Sequence, residues 1–157
     1  MTDPPVESVW DYPRPPRVEP AIRRVRVELA GALVADSGRA LRVLETSHPP
    51  TYYVPVADVV PGALVTARGD SYCEWKGVAA YYDVVAGGVS AERAAWGYPD
   101  PRPPYAELAD CVAFYPSSLD CWLDDERVSP QVGGFYGGWV TSDVIGPFKG
   151  ASGTSGW

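Results

Sequence analysis

The chain is poor in the residues that bind metals or build disulfide networks. It contains one histidine, His48, and three cysteines, Cys73, Cys111 and Cys121. With only three cysteines and no C-x-x-C motif, a zinc site of the four-cysteine type is excluded. An odd number of cysteines without that motif is typical of reduced thiols in a cytoplasm. We therefore predict a cytoplasmic protein that needs neither a metal nor any other cofactor.

Long apolar runs and an excess of positive charge are also missing. The longest apolar run, AGALVA, is far shorter than the roughly 20 residues that cross a bilayer, and the N-terminus has no apolar signal segment. Twenty acidic side chains against thirteen basic ones give a formal net charge of −7. Such a surface repels the phosphates of nucleic acids and of anionic membranes. We expect neither as a partner, although a local basic pocket could still bind a small anion.

Proline and glycine are concentrated at the two ends of the chain. Residues 1–21 are rich in proline, which fixes φ and lacks an N–H donor, so they predict an extended arm. Residues 131–157 hold half of all the glycines and form a second arm. Both arms contain aromatic side chains, such as Trp10, which indicates order instead of flexible linkers. The arms could fold back on their own domain or clasp a second subunit as a homodimer, and both alternatives stay open.

Residues 22–130 show the alternation of apolar and polar side chains that is typical of β-strands. In RRVRVELAG, Val25, Val27 and Leu29 alternate with charged residues, and ALVADS predicts the hairpin partner. Further strands are predicted in RALRVLET, TYYVP, GALVTA, SYCEWKGVAAYYDVVAGG, VSAERAAWGY, VAFYP and CWLDDERV. Short helical segments are predicted in PVADVVPG and PPYAELADC. About nine short strands with frequent turn signals predict a mainly β domain, a small barrel or sandwich.

Five segments carry a family resemblance: VLETSHPPTYYVP, CEWKGVAAYY, AAWGYPDP, VAFYP and GGWVTSDVIGPFKG. In this order they resemble the bacterial family numbered 427 among the domains of unknown function, which is filed under a nucleotidyltransferase-like heading. The resemblance implies a β-tent-like domain, in which two small antiparallel sheets meet at an angle. Proteins of that fold commonly hold zinc with paired C-x-x-C motifs, which this sequence lacks. It also lacks the paired D-x-D carboxylates that hold two Mg²⁺ in nucleotidyltransferases, and a P-loop.

Lysine is scarce, with two residues against eleven arginines. Both lysines stand between an aromatic residue and a glycine, Lys76 in WKG and Lys149 in FKG. Lysine in a chain that otherwise uses arginine suggests that a point charge or an amine is needed, and the glycine lets a ligand come close. The alternative is a lysine whose stem covers an aromatic ring. Strand alternation places Lys76 on the same face as Glu74, which would make a surface ion pair. We favour Lys76 over Lys149 as a ligand contact.

The only histidine lies in a stiff loop. Pro49 and Pro50 follow His48 and restrict its backbone, and Glu45 is placed to orient the imidazole. His48 is therefore a candidate ligand contact or proton-transfer group, against the alternative of a structural loop residue. A nucleophilic pair with Ser47 is not expected, because adjacent residues on an extended chain point apart.

Aromatic residues of the predicted strands could line a cavity for a flat ring, or could simply fill the core. Our leading hypothesis is a domain that binds a flat heteroaromatic or nucleoside-like small molecule. The predicted ligand-binding residues are Glu45, His48, Tyr53, Lys76, Tyr81, Trp96 and Tyr98. One alternative is an enzyme that uses Glu45 and His48 for acid–base chemistry or Lys76 as an amine. Another is an interaction protein whose aromatic arms clasp a partner, in which case deletion of an arm would leave the pocket intact.

Overall fold

A computed structural model describes residues 5–133, 136–150, 153–154 and 156–157. Residues 1–4, 134–135, 151–152 and 155 of the predicted arms lie outside the described residues. The described chain is mainly β, as its sequence predicts. Its strands are β1 (Glu7–Ser8), β2 (Arg17–Pro20), β3 (Val25–Leu29), β4 (Ala32–Ser37), β5 (Leu41–Leu44), β6 (Thr51–Pro55), β7 (Leu64–Cys73), β8 (Gly77–Ala86), β9 (Val89–Gly97), β10 (Cys111–Phe114), β11 (Asp120–Leu123), β12 (Glu126–Arg127), β13 (Ser129–Pro130), β14 (Trp139–Val140) and β15 (Val144–Ile145).

Helical structure within these ranges is limited to short 3₁₀ segments. They span Val9–Asp11, Val56–Asp58 and Pro103–Leu108. The second and third coincide with the two predicted helical segments, and prolines begin the third, where a missing N–H donor costs nothing. None of the described helical segments is long and apolar enough to span a membrane.

Two antiparallel sheets form the body of the molecule. The larger has the order β2-β5-β6-β10-β9-β8-β7, and the smaller has the order β12-β11-β3-β4. The predicted hairpin of β3 and β4 is present, and it contains a register shift after Val27. The largest apolar cluster combines side chains of both sheets, among them Val27 and Leu123 of the smaller sheet and Val54 and Phe114 of the larger. The core of the domain therefore lies where the two sheets pack together.

The period of two along a strand gives the larger sheet a second apolar face. Tyr52 and Val54 belong to the main core, whereas Tyr53 between them belongs to a separate cluster with Trp96 and Ala113. Successive side chains of a strand point to opposite faces. The larger sheet thus packs on the smaller sheet with one face and presents an aromatic surface on the other.

Both arms pack against the domain of their own chain. β1 of the first arm pairs in parallel with β15 of the second, and β2 forms the edge of the larger sheet. The indole N–H of Trp10 donates to the carbonyl oxygen of Pro147 (2.8 Å), and the ring of Trp10 lies edge-on to that of Trp157 at 5.1 Å. The described parts of both arms thus fold back on their own domain.

The predicted strand SYCEWKGVAAYYDVVAGG is wrong in one respect. β7 ends at Cys73 and β8 starts at Gly77, so Glu74, Trp75 and Lys76 form the turn of a hairpin. Gly77 has a φ of +112°, a backbone conformation that favours glycine. Strict alternation places Glu74 and Lys76 on one face of a strand. Because they lie in a turn instead, Glu74 is exposed while Lys76 is buried.

Candidate functional site

A cavity of about 420 Å³ lies over the aromatic face of the larger sheet. All of the predicted ligand-binding residues line it: Glu45, His48, Tyr53, Lys76, Tyr81, Trp96 and Tyr98. They come from three separate parts of the chain, and the sheet order brings these parts together. The three predicted motifs ETSHPPTYY, CEWKG and AAWGY therefore converge on one cavity.

Strand register builds the aromatic floor. Tyr81 of β8 pairs with Trp96 of β9, Trp96 pairs with Ala113 of β10, and Ala113 pairs with Tyr53 of β6. Directly opposite residues in antiparallel strands place their side chains on the same face, so these four residues form one row across the sheet. The rings of Tyr53 and Trp96 stand 6.4 Å apart at a steep angle, with the short side chain of Ala113 between them in the row.

Lys76 enters the cavity from the hairpin turn between β7 and β8. It is 8% exposed and is the only charged residue among the buried residues that the structure describes. Its ammonium lies 3.5 Å from the Cys73 sulfur and 5.6 Å from the centre of the Tyr98 ring. Within the described part of the chain, Lys76 forms no ion pair with a carboxylate. A buried ammonium normally requires such a partner, so this is an unusual position for a lysine.

The loop after β5 carries Glu45 and His48. The amide N–H of His48 donates to the carbonyl oxygen of Glu45 (3.1 Å), and Ser47 between them has a left-handed backbone with a φ of 73°. This tight turn places the Glu45 carboxylate 3.8 Å from Nε2 of His48. Arg14 approaches the same carboxylate at 3.5 Å. Glu45 is therefore held between a guanidinium and the imidazole.

Gln131 fixes the tautomer of His48. The Oε1 atom of Gln131 accepts from the amide N–H of Gly138 (3.2 Å), and its Nε2 donates to the carbonyl oxygen of Lys149 (2.6 Å). The same Nε2 lies 3.2 Å from Nδ1 of His48. Because this nitrogen of Gln131 is a donor, Nδ1 of His48 accepts and its proton resides on Nε2.

The imidazole of His48 is neutral at physiological pH. Burial, and then the charges of Lys149, Arg14 and Lys76, lower the pKa of His48 to about 4. With Nδ1 engaged by Gln131, the available atom is the N–H at Nε2. At neutral pH the atom that His48 presents for hydrogen bonding is therefore the donor N–H at Nε2.

The second arm closes one side of the cavity. It contributes Gln131, Tyr136, Gly137 and Lys149, of which only Lys149 is singled out by its sequence context. Gly137 lies so close to the indole of Trp96 that a Cβ there would be 2.0 Å from a ring carbon. The arm and the strand residue are thus in direct contact, and a side chain at position 137 would have to displace one of them.

One of the three cysteines lies at the cavity. Cys73 is half-buried and belongs to its lining. All three cysteines are free thiols. Among the residues that the structure describes, no group of three His, Cys, Asp or Glu side chains could hold a metal ion.

Comparison with curated proteins gives no match. A family model does match residues 17–125, which is more than half of the chain, and its description reads "Domain of unknown function (DUF427)", under the name NTP_transf_9. The matched region contains the strands of the larger sheet, the Glu45–His48 loop and the Lys76 turn. It ends before Gln131, so the arm that closes the cavity lies beyond it. Four of the five motifs lie within the match, and GGWVTSDVIGPFKG follows it. The chain belongs to the DUF427 family, as the resemblance predicts.

Proposed function

We propose that this domain binds a small molecule that combines a flat, heteroaromatic or nucleoside-like ring with an anionic group. The observation that carries the proposal is the buried ammonium of Lys76, which has no carboxylate partner in the described structure and opens into an aromatic cavity. Burial of an unpaired charge is costly, and an anionic ligand that pairs with the ammonium offsets this cost.

In this proposal, four further predicted residues have roles of their own beside Lys76. Trp96 and Tyr98 offer ring faces for stacking, and the Nε2–H of His48 donates a hydrogen bond. The carboxylate of Glu45 accepts from an N–H or O–H of the ligand. A volume of about 420 Å³ lies within the range of about 300–1,000 Å³ that is usual for small-molecule sites.

An enzyme that uses Glu45 and His48 for acid–base work, or Lys76 as an amine, is the second candidate. The 3.8 Å contact between the Glu45 carboxylate and His48 favours it. Proton uptake at Nδ1 would first require His48 to lose its hydrogen bond from Gln131. Binding without turnover would separate the first candidate from the second.

The interaction-protein alternative has less support from the geometry. It requires arms that reach a partner and a pocket that survives without them. In this chain the arms pair with each other, and the second arm lines the cavity. The three free thiols support a location in the bacterial cytoplasm, where cysteines stay reduced.

A thermal-shift screen tests the proposal. The panel contains nucleosides, nucleotides, aromatic acids and divalent metal ions, each added to the wild type and to Lys76→Ala. A ligand at 100 times its dissociation constant adds about 2.7 kcal/mol to the free energy of unfolding. Arg26→Gln, which removes one positive charge from an exposed strand of the smaller sheet, is the matched control. We expect a shift in wild type and Arg26→Gln that is lost in Lys76→Ala, and equal shifts in all three proteins would contradict the proposal.

A further inference from the structure

The second arm delivers the other lysine of the chain to the same cavity. Lys149 follows β15 by four residues, and its amide N–H donates to the carbonyl oxygen of Ser47 (2.8 Å), which fixes it beside the His48 loop. The chain has only two lysines and a net charge of −7, yet both lysines line one cavity. Such a placement concentrates positive charge in one spot of an acidic protein.

The described contacts of Lys149 include no acidic side chain. Its ammonium donates to a main-chain oxygen of Trp157 (3.3 Å) and lies 5.6 Å from the centre of the Tyr136 ring. In the described part of the structure no Asp or Glu side chain forms an ion pair with it. The two carboxylates of the lining do not neutralise the site, because Glu45 is engaged by Arg14 and Glu74 is exposed.

Both ammonium groups act on the same imidazole. The charges of Lys149 and Lys76 each lower the pKa of His48, so the two groups lie within electrostatic range of one ring. Since His48 stays neutral and presents the N–H of its Nε2, the cavity offers two cationic donors and one neutral donor. This combination complements the oxygens of an anion.

We propose that Lys149 and Lys76 together form a two-lysine anion site, and that the ligand is an aromatic acid whose carboxylate or phosphate group both lysines bind. This inference rests on the proposed function and adds to it the second cation and the class of the ligand. It also assigns a binding role to an arm that lies outside the family match.

The scarcity of lysine makes a direct test feasible. Selective ¹³C labelling of lysine side chains gives two NMR signals, which Lys76→Met and Lys149→Met assign by the loss of one signal each. The indole N–H signal of Trp96, assigned with Trp96→Phe, reports occupation of the cavity. The probes are benzoate, phenyl phosphate and the neutral analogue benzamide.

We expect both lysine signals to move with benzoate or with phenyl phosphate along the same saturation curve as the Trp96 signal. The probe that binds more tightly identifies the anionic group. Lys149→Gln should weaken the binding of that probe by about tenfold or more, as for the loss of a charge-assisted hydrogen bond. Arg26→Gln, with the same loss of charge far from the cavity, should leave it unchanged.

Three outcomes would overturn the inference. If benzamide moves Trp96 as strongly as benzoate does and neither lysine responds, the cavity binds aromatic rings without an anion site, and both this inference and the anionic part of the proposed function fail. If only the Lys76 signal moves, Lys149 has no part in binding. If no probe moves Trp96 or either lysine, the proposed function and this inference fail together.

Discussion

His48 illustrates how a single residue can be placed by its neighbours. Gln131 is its hydrogen-bond partner, Tyr136 contacts its ring edge-on at 4.9 Å, and the nearby charges are those of Glu45, Arg14 and the two lysines. Only Glu45 is close to His48 in sequence. The two prolines after His48 indicate a preorganised residue. Which of its ring nitrogens donates and which accepts depends on Gln131, about 80 residues later in the second arm.

The lowered pKa of His48 predicts a loss of stability in mild acid. The unfolded chain binds a proton near pH 6.5 and the folded chain only near pH 4, so the free energy of unfolding falls as the pH drops through this window. The full effect is about 3 kcal/mol, and it is complete only below pH 4. Urea unfolding at intervals between pH 7.5 and pH 5 measures the part that precedes titration of most carboxylates.

His48→Gln is the matched variant for this prediction. Glutamine keeps a neutral amide in the loop and does not titrate. We expect its unfolding free energy to vary much less than that of the wild type between pH 7 and pH 5. The same slope in both proteins would show that His48 is not the group responsible.

Lys76 and Arg42 provide a contrast between a buried lysine without a carboxylate partner and a half-buried arginine with two. Arg42 is 13% exposed at its side chain and binds Glu7 and Glu19 at 2.9 and 2.6 Å. Loss of the arginine leaves two partly buried carboxylates without a partner, so Arg42→Met should lower the free energy of unfolding by about 2 kcal/mol. Lys76→Met removes an unpaired charge and should leave stability unchanged or raise it by about 1 kcal/mol.

Chemical denaturation of the two variants distinguishes a binding role for Lys76 from a structural one. A functional group that is retained against its own cost should stabilise the protein when it is removed. If Lys76→Met destabilises the fold as much as Arg42→Met, the lysine stem is a packing element and the proposal for the cavity loses its main support.

At the scale of strands, alternation predicted most of the larger sheet. The segments TYYVP and VSAERAAWGY appear as β6 and β9, and their alternation separates core residues from cavity residues, as with Tyr52 and Tyr53. The turn at Glu74–Lys76 was not predicted from the sequence. Its three residues contain no glycine or proline, and they do not visibly interrupt the apolar–polar alternation of the flanking strands. Its only sequence mark is Gly77, which a bulge would explain equally well.

The contact between the second arm and β9 can be tested at a glycine. A Cβ on residue 137 would lie 2.0 Å from the Trp96 ring, so Gly137→Ala must push either the arm or the indole away. We expect the free energy of unfolding to fall by about 1–3 kcal/mol, as for other overpacked sites. Gly156→Ala, where no atom lies within 4 Å of the added carbon, should be neutral in the same urea titration.

A second measurement links this strain to the cavity. Because Trp96 lines the cavity, displacement of its indole in Gly137→Ala should change the tryptophan fluorescence. It should also weaken the binding of any probe that raises the unfolding temperature of the wild type. If Gly137→Ala unfolds at the same urea concentration as the wild type, the arm does not pack on β9 in solution.

At the scale of the whole molecule, the cavity is a joint product of the family domain and the second arm. The residues Gln131, Tyr136 and Gly137 could not be predicted as lining residues, because a glycine-rich segment has no periodicity from which a face can be read. Lys149 was recognisable only through its likeness to the context of Lys76. Site residues of the matched domain could be predicted from their residue types and sequence context, whereas residues of the irregular arm reach the cavity through tertiary contacts that the sequence does not reveal.

The second arm also contributes a side chain to the main core, so its deletion should lower the free energy of unfolding. Trp139 is fully buried, its indole N–H donates to the carbonyl oxygen of Phe114 (3.0 Å), and its ring packs beside that of Tyr52 at 5.1 Å. Removing a buried tryptophan side chain costs about 3–5 kcal/mol. We therefore expect Trp139→Ala to be strongly destabilised, and a chain truncated after Pro130 to lose at least as much.

Trp10→Ala is the control for this prediction. Trp10 belongs to the other arm and is 41% exposed, so its loss removes a hydrogen bond and a ring contact at the surface and should cost only about 1 kcal/mol. Thermal and urea unfolding of the three proteins rank the effects. A truncated chain that still unfolds cooperatively at the wild-type temperature and shifts with the same probes would show that residues 1–130 form the site without the second arm. Cooperative loss of both stability and binding would instead show that the arm is an integral part of the domain.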